Sequence, residues 1–203
     1  MKLKDLGLIS VSVASELQEL EREKILKGES SGVVFLCEHP HTVTLGRKLE
    51  KQFHEIKKNI PQNIEVVPLN RGGELTYHGP GQLVIYPVVS LEEKKLSVTH
   101  YVSFLETFVS EILKQYGLET YGKKEHRGVW AGDKKIASVG VHISRGVSIH
   151  GIALNINCDL KYFSYFKPCG LCSTQITSLE KELGYAVPLE EVKQKIALTL
   201  ERW

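Results

Sequence analysis

The chain has 203 residues, with 26 Lys and Arg against 24 Asp and Glu, which gives a formal net charge of +2. Apolar residues make up 42% of it, and a chain of this length buries roughly 70% of its unfolded surface. Such a balance of charge argues against a dedicated nucleic-acid-binding protein, which usually has a basic face. Apolar stretches such as residues 83–86 are far too short to span a membrane. We therefore expect one domain whose core needs no metal or disulfide, with neither a nucleic acid nor a membrane as partner.

The N-terminus and the cysteines predict a cytoplasmic protein. Residues 1–5 carry charges, and no apolar segment of the kind found in secretory signals follows them. The four cysteines are Cys37, Cys158, Cys169 and Cys172. This number is even, but it is too small for a disulfide scaffold in a chain of this length. We expect reduced thiols, at least one of which is available for chemistry.

The first half of the chain predicts one helix followed by three strands. The helix covers residues 10–28, with Ser10 as its N-cap. Its apolar stripe comprises Val13, Leu17, Leu20 and Ile25. The predicted strands are residues 32–37, 64–69 and 82–89. Because Pro87 cannot donate to a strand ladder, we expect the end of the third strand to lie at an edge or a bulge.

The second half predicts a long helix, three strands and two further helices. Residues 97–116 have helical apolar spacing, and Gly117 follows as a C′ residue. The later strands are residues 128–131, 135–143 and 147–157, which are separated by turn signals. Thr177 and Glu180 can form a capping box, and Pro188 can open the last helix. Helices interspersed with strands predict a single α/β or α+β domain around one mixed β-sheet.

Residues 71–82 (RGGELTYHGPGQ) form the first segment that could carry chemistry. Its glycines and proline permit tight turns and a close approach of backbone to a ligand, while Arg71, Tyr77 and His78 supply polar groups. It has neither the Gly-Lys-Ser/Thr of a phosphate loop nor the spacing of a dinucleotide fingerprint. The alternative is an ordinary glycine-rich hairpin with polar surface residues.

A lysine at the start of a strand and a cysteine in a turn are further candidates. Lys135 follows a Gly-Asp turn, so its ammonium could stand at the mouth of a pocket, although such lysines are usually surface residues. Cys169 lies between a proline and a glycine, a turn that would expose a nucleophile. With Cys172 it could instead form half of a zinc site, but no second pair has matching spacing. A redox dithiol would need thioredoxin-like flanking elements, which the sequence does not show.

The remaining candidates are less specific. Residues 37–41 (CEHPH) could group around a metal, but we assign no metal site to the chain. Cys158, near the end of an apolar strand, is expected in the core. His150 lies on a predicted strand and could line a pocket opposite His78. The basic run at residues 123–127 is expected to be a solvated loop.

Four segments together carry a resemblance to a known family. They are RGGELTYHGPGQL (71–83), KKIASVGV (134–141), HGIALNIN (150–157), and PCG (168–170) followed by TSL (177–179). In this order and spacing they resemble the octanoyltransferases of lipoate biosynthesis, which are lipoyl(octanoyl) transferases acting on proteins. The resemblance runs from about Cys37 to Leu179. It implies the catalytic fold of the biotin/lipoate protein ligases, and a single acyltransferase domain over residues 1–203 with its motif-bearing core at about 32–180.

The resemblance also implies roles for individual residues. Cys169 would be the nucleophile that accepts the acyl group, and Lys135 would lower the pKa of its thiol and later act as acid and base. An ammonium about 4 Å away, at an effective dielectric near 20, favours the thiolate by at most ~4 kcal/mol, or up to about three pK units. The implied substrate-binding residues are Arg71, Gly72, Gly73, Glu74, Leu75, Thr76, Tyr77, His78, Ser138, Val139, Gly140, Gly151, Ile152 and Ala153, with His150 as an additional pocket residue.

The implied reaction moves an octanoyl group from octanoyl-acyl carrier protein to a lysine of a lipoyl domain. It would proceed through an acyl-Cys169 thioester in a ping-pong scheme, with no ATP and no cofactor. The implied acceptors are the lipoyl domains of 2-oxoacid dehydrogenases and the H protein of glycine cleavage. Two alternatives stay open: an ATP-dependent lipoate–protein ligase and a non-catalytic module that binds lipoyl domains.

Two positions depart from what the resemblance leads us to expect. Cys172 lies three residues after the implied nucleophile, within the range in which two cysteines could form a disulfide if the turn folds back. A reactive Cys169 could then be protected against further oxidation by Cys172. His142 and Ile143 stand where more basic residues would be expected, which leaves open the contacts that a protein partner would make there.

Overall fold

The computed structural model describes residues 2–166 and 175–201, and these ranges form two β-sheets and five α-helices. The strands are β1 (Lys2–Leu8), β2 (Val33–Glu38), β3 (Thr42–Leu45), β4 (Glu65–Pro68), β5 (Leu75–His78), β6 (Gln82–Val88), β7 (Tyr121–Gly122), β8 (Gly128–Ala131), β9 (Lys134–Ser144) and β10 (Val147–Asn155). The helices are α1 (Val11–Leu26), α2 (Phe53–Asn59), α3 (Val98–Lys114), α4 (Leu179–Leu183) and α5 (Leu189–Leu200), and 3₁₀ turns cover Arg47–Gln52 and Leu160–Tyr165.

The main sheet has seven strands in the order β1-β2-β6-β10-β9-β8-β7. Strand β1 runs parallel to β2, and the other neighbours are antiparallel, so the predicted mixed α/β class is confirmed. A second sheet of order β4-β3-β5 was not predicted. Its strands have only four residues each, which is too short for alternation of apolar and polar residues to give a clear signal.

The two faces of the main sheet pack against different elements. On one face, apolar side chains of the sheet, such as Ile136 and Leu154, pack with apolar side chains of α3 and α5, among them Ile112 and Ile196. On the other face, the sheet packs against α1 and is partly covered by the three-stranded sheet. In the described part of the chain, no helix is both long and apolar enough to cross a membrane.

Helix α1 begins where the sequence predicts, but it turns a different face inward. The Ser10 hydroxyl accepts a hydrogen bond from the Val13 N–H at 3.3 Å, as expected of an N-cap. The predicted apolar stripe is wrong at Val13 and Leu20, which are 44% and 61% exposed. The helix instead buries polar side chains at Gln18 and Glu21. Both have hydrogen-bond partners, so a pattern based on hydrophobicity alone could not identify the buried face.

The other predicted elements largely match the structure. Helix α3 has Ser97 as its N-cap, and α5 begins directly after Pro188. The predicted capping box at Thr177 is wrong, because Ser178 caps α4 instead by accepting the N–H of Lys181.

Pro87 lies in the interior of the sheet rather than at an edge, because β6 pairs with β2 on one side and β10 on the other. The expected edge is therefore wrong. The ladder between β6 and β10 breaks after Ile85 and resumes at Ser90, in the same register. The Pro87 carbonyl accepts hydrogen bonds from the hydroxyls of Ser148 (2.9 Å) and Tyr101 (3.2 Å). A gap in the ladder thus accommodates the missing N–H of the proline.

Candidate active site

A narrow cavity lies between the two sheets. Its floor is the main sheet, and its roof is β5 together with the segment that joins β4 to β5. The centre of a water molecule can range over only about 30 Å³ within it. The cavity brings together the predicted residues Arg71, Thr76, His78, Lys135, Ser138, Val139, Gly140, His150, Gly151, Ile152 and Ala153. Leu69, Val84 and Tyr86, which the sequence analysis missed, complete the lining.

A wider cleft opens beside the cavity, and the centre of a water molecule can range over about 460 Å³ there. Three predicted residues, Gly72, Gly73 and Glu74, line this cleft rather than the cavity. Its other residues are Lys48, Val102, Glu125, His126, Arg127 and Val141. Lys135, Val139 and Gly140 line both spaces, so the lysine stands where the open cleft meets the narrow cavity.

Leu75 and Tyr77 do not line the cavity, because alternate residues of β5 face opposite sides. A hydrogen bond of 2.6 Å joins the Tyr77 hydroxyl to His41 Nδ1, and the Tyr77 ring stacks on that of Tyr162 with centroids 5.0 Å apart. Leu75 packs against the apolar cluster that contains Val43. The structure therefore does not place the two side chains where the resemblance implied contact with an acyl chain.

Lys135 is a buried residue with 4% of its surface exposed, so the interpretation as a surface lysine is wrong. Its ammonium lies 5.9 Å from the centre of the Trp130 ring. Its backbone carbonyl accepts the N–H of Thr177 at 3.0 Å. The neighbouring strand gives the side chain room through Gly128, where a Cβ would overlap Lys135 Cε. The lysine is thus held at the junction by the packing of two strands.

Arg71 connects the parts of the cavity roof. Its Nη2 donates to the carbonyl and the hydroxyl of Thr44, at 2.7 and 2.8 Å, and to the Glu74 carbonyl at 3.0 Å. Its Nη1 donates to the Gly72 carbonyl at 2.9 Å. A guanidinium offers five N–H donors in a fixed plane, so one side chain can tie β3 to the glycine-rich segment.

Both ring nitrogens of His78 form hydrogen bonds with other residues of the protein. Gln82 donates its amide N–H to the Tyr77 carbonyl and to Asn155, so its Oε1 is the acceptor for His78 Nδ1 at 2.7 Å. The Nε2 atom then accepts from the Thr44 hydroxyl at 3.3 Å. Burial, aided by the nearby Arg71 charge, holds the pKa of His78 well below its ordinary value. The ring is therefore neutral and contributes mainly carbon to the cavity.

Tyr86 and His39 form a similar internal pair on the cavity floor. His39 Nδ1 donates to the Ile9 carbonyl at 2.7 Å, which leaves Nε2 to accept the Tyr86 hydroxyl at 2.9 Å. Burial lowers the pKa of His39 and raises that of Tyr86, so both are neutral. His39 belongs to the segment that we considered as a metal cluster. Among residues 2–166 and 175–201, no three His, Cys, Asp or Glu side chains group as a metal site would require.

His150 differs from the other histidines around the cavity. Its backbone has a left-handed φ of +59°, and its N–H donates to Gln18 Oε1 at 2.6 Å. Burial, with a further contribution from the Arg71 charge, lowers the pKa of His150 to about 3. Its Nδ1 is buried and has no hydrogen-bond partner within the described ranges. The imidazole is thus neutral and incompletely bonded at the wall of the cavity.

Two of the four thiols are poorly suited to be nucleophiles. Cys37 and Cys158 are buried, as expected for Cys158, and burial raises the pKa of both, that of Cys158 to about 12. Cys169 and Cys172 lie outside the described residues, so the nucleophile and the disulfide stay predictions. The described residues on either side of this segment, Phe166 and Ile176, belong to one apolar cluster around Trp130.

The basic run at residues 123–127 is only partly a solvated loop. Arg127 donates to the buried carboxylate of Glu106 at 3.0 Å, and the Glu106 carboxylate also accepts the Gly128 N–H at 2.8 Å. Lys123 stacks over the Trp130 ring, 4.0 Å from its centre. Sequence reasoning missed Glu106 because a glutamate in an amphipathic helix carries no signal of its buried partners. Glu106 fixes Gly128, the first residue of β8, at the position where it leaves space for the Lys135 side chain.

Comparison with known proteins is consistent with this geometry. A model of the lipoyl protein ligase A/B catalytic domain matches residues 10–201. An octanoyltransferase of Syntrophobacter fumaroxidans is 41% identical over 98% of this chain and 89% of its own length. One of Solibacter usitatus is 42% identical over 95% of this chain and 88% of its own length.

Solved structures resemble the fold at low sequence identity. A lipoate-protein ligase A bound with ATP has a TM-score of 0.77 at 18% identity, covering 100% of this chain and 85% of its own. A structure of a bipartite lipoate protein ligase and its E2 lipoyl domain from Thermoplasma acidophilum has a TM-score of 0.72 at 17% identity, covering 99% of this chain and 82% of its own. Biotin protein ligase of Aquifex aeolicus has a TM-score of 0.56 at 16% identity, covering 100% of this chain and 68% of its own. The predicted ligase-like fold is confirmed, and by its sequence the chain belongs to the lipoyl protein ligase A/B catalytic domain family and, within it, to the octanoyltransferases.

Proposed function

We propose that this protein transfers an octanoyl group from acyl carrier protein to a lysine of a lipoyl domain, through a thioester on Cys169. The observation that carries this proposal is a narrow cavity that ends at a buried lysine and in which Arg71, His78 and Tyr86 bond to the protein itself. The lipoyl domains of 2-oxoacid dehydrogenases and the H protein of glycine cleavage are the proposed acceptors. We place the reaction in the cytoplasm, where a reactive thiol stays reduced.

The cavity suits an alkyl chain because three of its polar residues use their polar atoms elsewhere. Arg71, His78 and Tyr86 bond to the protein itself, and glycine, alanine and larger apolar residues supply most of the remaining wall. Each methylene that enters such a cavity contributes about 0.8 kcal/mol until the space is filled. A medium-length acyl chain therefore gains several kcal/mol.

Lys135 is placed to manage charge at the carbonyl end of that chain. The cluster that anchors both flanks of the Cys169 segment includes Trp130, and the Lys135 ammonium lies over the Trp130 ring. Ile176, on the C-terminal side, also pairs with Lys135. The proposed mechanism requires the ammonium to lie near the Cys169 thiol, and it is supported by the described flanks, Phe166 and Ile176, which belong to the same cluster as Trp130. An adjacent ammonium lowers the pKa of a thiol, and the thiolate is the nucleophilic form.

The two half-reactions balance without an external energy source. The Cys169 thiolate attacks the carrier's thioester, the carrier sulfur leaves, and it takes up the proton that Cys169 gave up. A lipoyl-domain amine then attacks the new thioester, an amide forms, and Cys169 leaves as the thiol with the proton that the amine loses. Lys135 relays these protons. The first step exchanges one thioester for another, and the second is downhill because it makes an amide.

The wider cleft is the proposed entrance for both protein substrates. It shares Lys135, Val139 and Gly140 with the cavity, so a thioester or a lysine reaching through it would arrive at the Lys135 ammonium. Lys48 and Arg127 lie on this cleft together with Glu74 and Glu125. The carrier and the lipoyl domain would use it in turn, as a ping-pong scheme requires.

Intact mass spectrometry after incubation with octanoyl-acyl carrier protein tests the proposal. We expect one octanoyl group on Cys169, and its loss when an unmodified lipoyl domain is added. A parallel incubation with lipoate and ATP but without the carrier should leave the lipoyl domain unmodified. Modification only with ATP would identify a ligase instead. Binding of the lipoyl domain with no adduct and no transfer would identify a non-catalytic module.

A further inference from the structure

We propose that His150 closes the end of the cavity opposite Lys135 and sets the longest acyl chain that the enzyme accepts. This inference rests on the proposed function, since it assigns the acyl chain to the cavity. It adds a residue that determines specificity and that takes no part in the chemistry.

The strand register places the lysine and the histidine at opposite ends. His150 pairs with Val141, which lies six residues beyond Lys135 on β9, and six residues of an antiparallel strand span roughly 20 Å. An extended chain advances a little over 1 Å per bond, as the roughly 3.5 Å per residue of a polypeptide shows. The Lys135 side chain covers part of this span, because its Cε lies beside Gly128, which pairs with Ser138 three residues along β9. The remaining three residues to Val141 span roughly 10 Å, and the seven bonds of an octanoyl chain advance roughly 8 Å. An octanoyl chain that starts beside the Lys135 ammonium therefore ends just short of His150.

The backbone directs the His150 ring into the cavity against the alternation of the strand. Along β10, Ile149 and Ala153 pack on the α1 side, whereas Ile152 and Leu154 pack on the α3 side. Strict alternation would send residue 150 to the α3 side. The left-handed φ of +59° instead brings its ring to 6.3 Å from the Tyr86 ring, on the α1 side. Such a backbone is uncommon outside glycine, so the fold accepts strain to place this ring.

The contacts around His150 keep the ring in place. Its N–H is bonded to the buried Gln18, and a Cβ at Gly151 would overlap the Ile85 carbonyl oxygen, which fixes the next residue as glycine. His39 and His78 each bond both ring nitrogens, as structural histidines do. Within the described ranges, His150 Nδ1 has no such partner. The ring is therefore a rigid wall at the point that the ninth or tenth carbon would reach.

The test is the acyl-length profile of His150→Gly, measured as kcat/KM for acyl carrier protein loaded with eight-, ten- and twelve-carbon chains. Glycine suits the left-handed backbone and removes the wall. We expect kcat/KM for the longer chains, relative to octanoyl, to rise about fourfold per added methylene, the equivalent of about 0.8 kcal/mol. Lys95→Gly is the matched control, because Lys95 is exposed and has a similar φ of +53°. Its profile should equal that of the wild type.

A folded His150→Gly protein that transfers octanoyl and keeps the wild-type length profile would overturn the inference and leave the proposed function standing. A wild-type protein that transfers no octanoyl group would overturn both. If His150→Gly does not fold, His150→Asn answers the same question, because asparagine tolerates the left-handed region and is shorter than histidine. It should raise the ten-carbon rate alone, and an unchanged profile would again overturn the inference.

Discussion

The two faces of the seven-stranded sheet are built on different principles. On the α3 side, side chains such as Ile112, Ile136 and Leu154 pack into a continuous apolar core. On the α1 side, an apolar cluster packs against the helix, but buried polar residues beside it, among them Arg71 and His150, line a narrow cavity. The apolar core on the α3 side stabilises the fold, and this offsets the stability that the cavity on the α1 side costs. Substitutions on the α1 side should therefore change activity first, and those on the α3 side should change stability first.

The largest expected effect comes from the proposed nucleophile. Cys169→Ser should lower octanoyl transfer by at least about 10³-fold, as loss of a nucleophile does, because a hydroxyl has no comparable anion at neutral pH. Its thermal unfolding should match that of the wild type. Cys172→Ser is the matched control and should keep full activity. Wild-type turnover in Cys169→Ser, or an acyl adduct that maps to Cys172, would show that we have assigned the wrong thiol.

Lys135→Met comes next. It keeps the aliphatic stem and removes the charge. The pKa of the Cys169 thiol should therefore rise towards about 8.5, the value of a free cysteine. Transfer should fall about 10²-fold, which is typical for loss of a general acid and base. Iodoacetamide reactivity measured against pH reads the pKa directly. Lys134→Met, on the adjacent and more exposed position of β9, should change neither quantity. An unchanged midpoint in Lys135→Met would remove the lysine from the mechanism.

Ile112→Ala probes the opposite face. Ile112 is fully buried in the core between α3 and the sheet, and truncation of such a side chain costs about 3 kcal/mol of unfolding free energy. Urea denaturation would measure this loss, while transfer per folded molecule should stay constant. Val98→Ala, an exposed position on the same helix, should cost less than about 0.5 kcal/mol. A drop in specific activity in Ile112→Ala would mean that the two faces are not independent.

The smallest effect, about 2 kcal/mol between pH 7 and 5, is a dependence of stability on pH that originates on the cavity side. The pKa of His150 is about 3 in the folded protein against an ordinary value of 6.5, so the unfolded chain binds a proton first as the pH falls. Stability present above pH 6.5 is therefore lost between 6.5 and 3, by up to about 1.4 kcal/mol per pH unit.

Unfolding measured in urea at pH 7, 6 and 5 would test this dependence. A plot of unfolding free energy against pH has a slope proportional to the number of protons taken up on unfolding, and His150→Asn should lower that number by about one relative to the wild type. His100→Asn is a suitable control, because that side chain is exposed on α3, away from the cavity. Equal slopes in all three proteins would mean that His150 is not the group that titrates.

The same contrast explains what sequence reasoning could and could not reach. Helix α3 was predictable because its buried stripe is apolar, whereas α1 was misread because Gln18 and Glu21 face inward. The family resemblance grouped the glycine-rich segment with Lys135, and the structure brings Arg71, His78 and Lys135 to one cavity. Neither the clasp of Arg71 on Thr44 nor the pairing of His39 with Tyr86 could be predicted. Each joins residues far apart in the chain through a polar contact that leaves no periodic trace.

Gly128 carries no functional group, yet a saturation screen would score position 128 as part of the active site. Any side chain there would overlap Lys135 Cε and the Ala137 carbonyl oxygen, at a φ of +141° that L-residues rarely adopt. Even alanine would have to displace the lysine or the strand that carries it. An engineer who reads such a map would infer a contact with substrate at a place where the protein has instead left space for its own lysine.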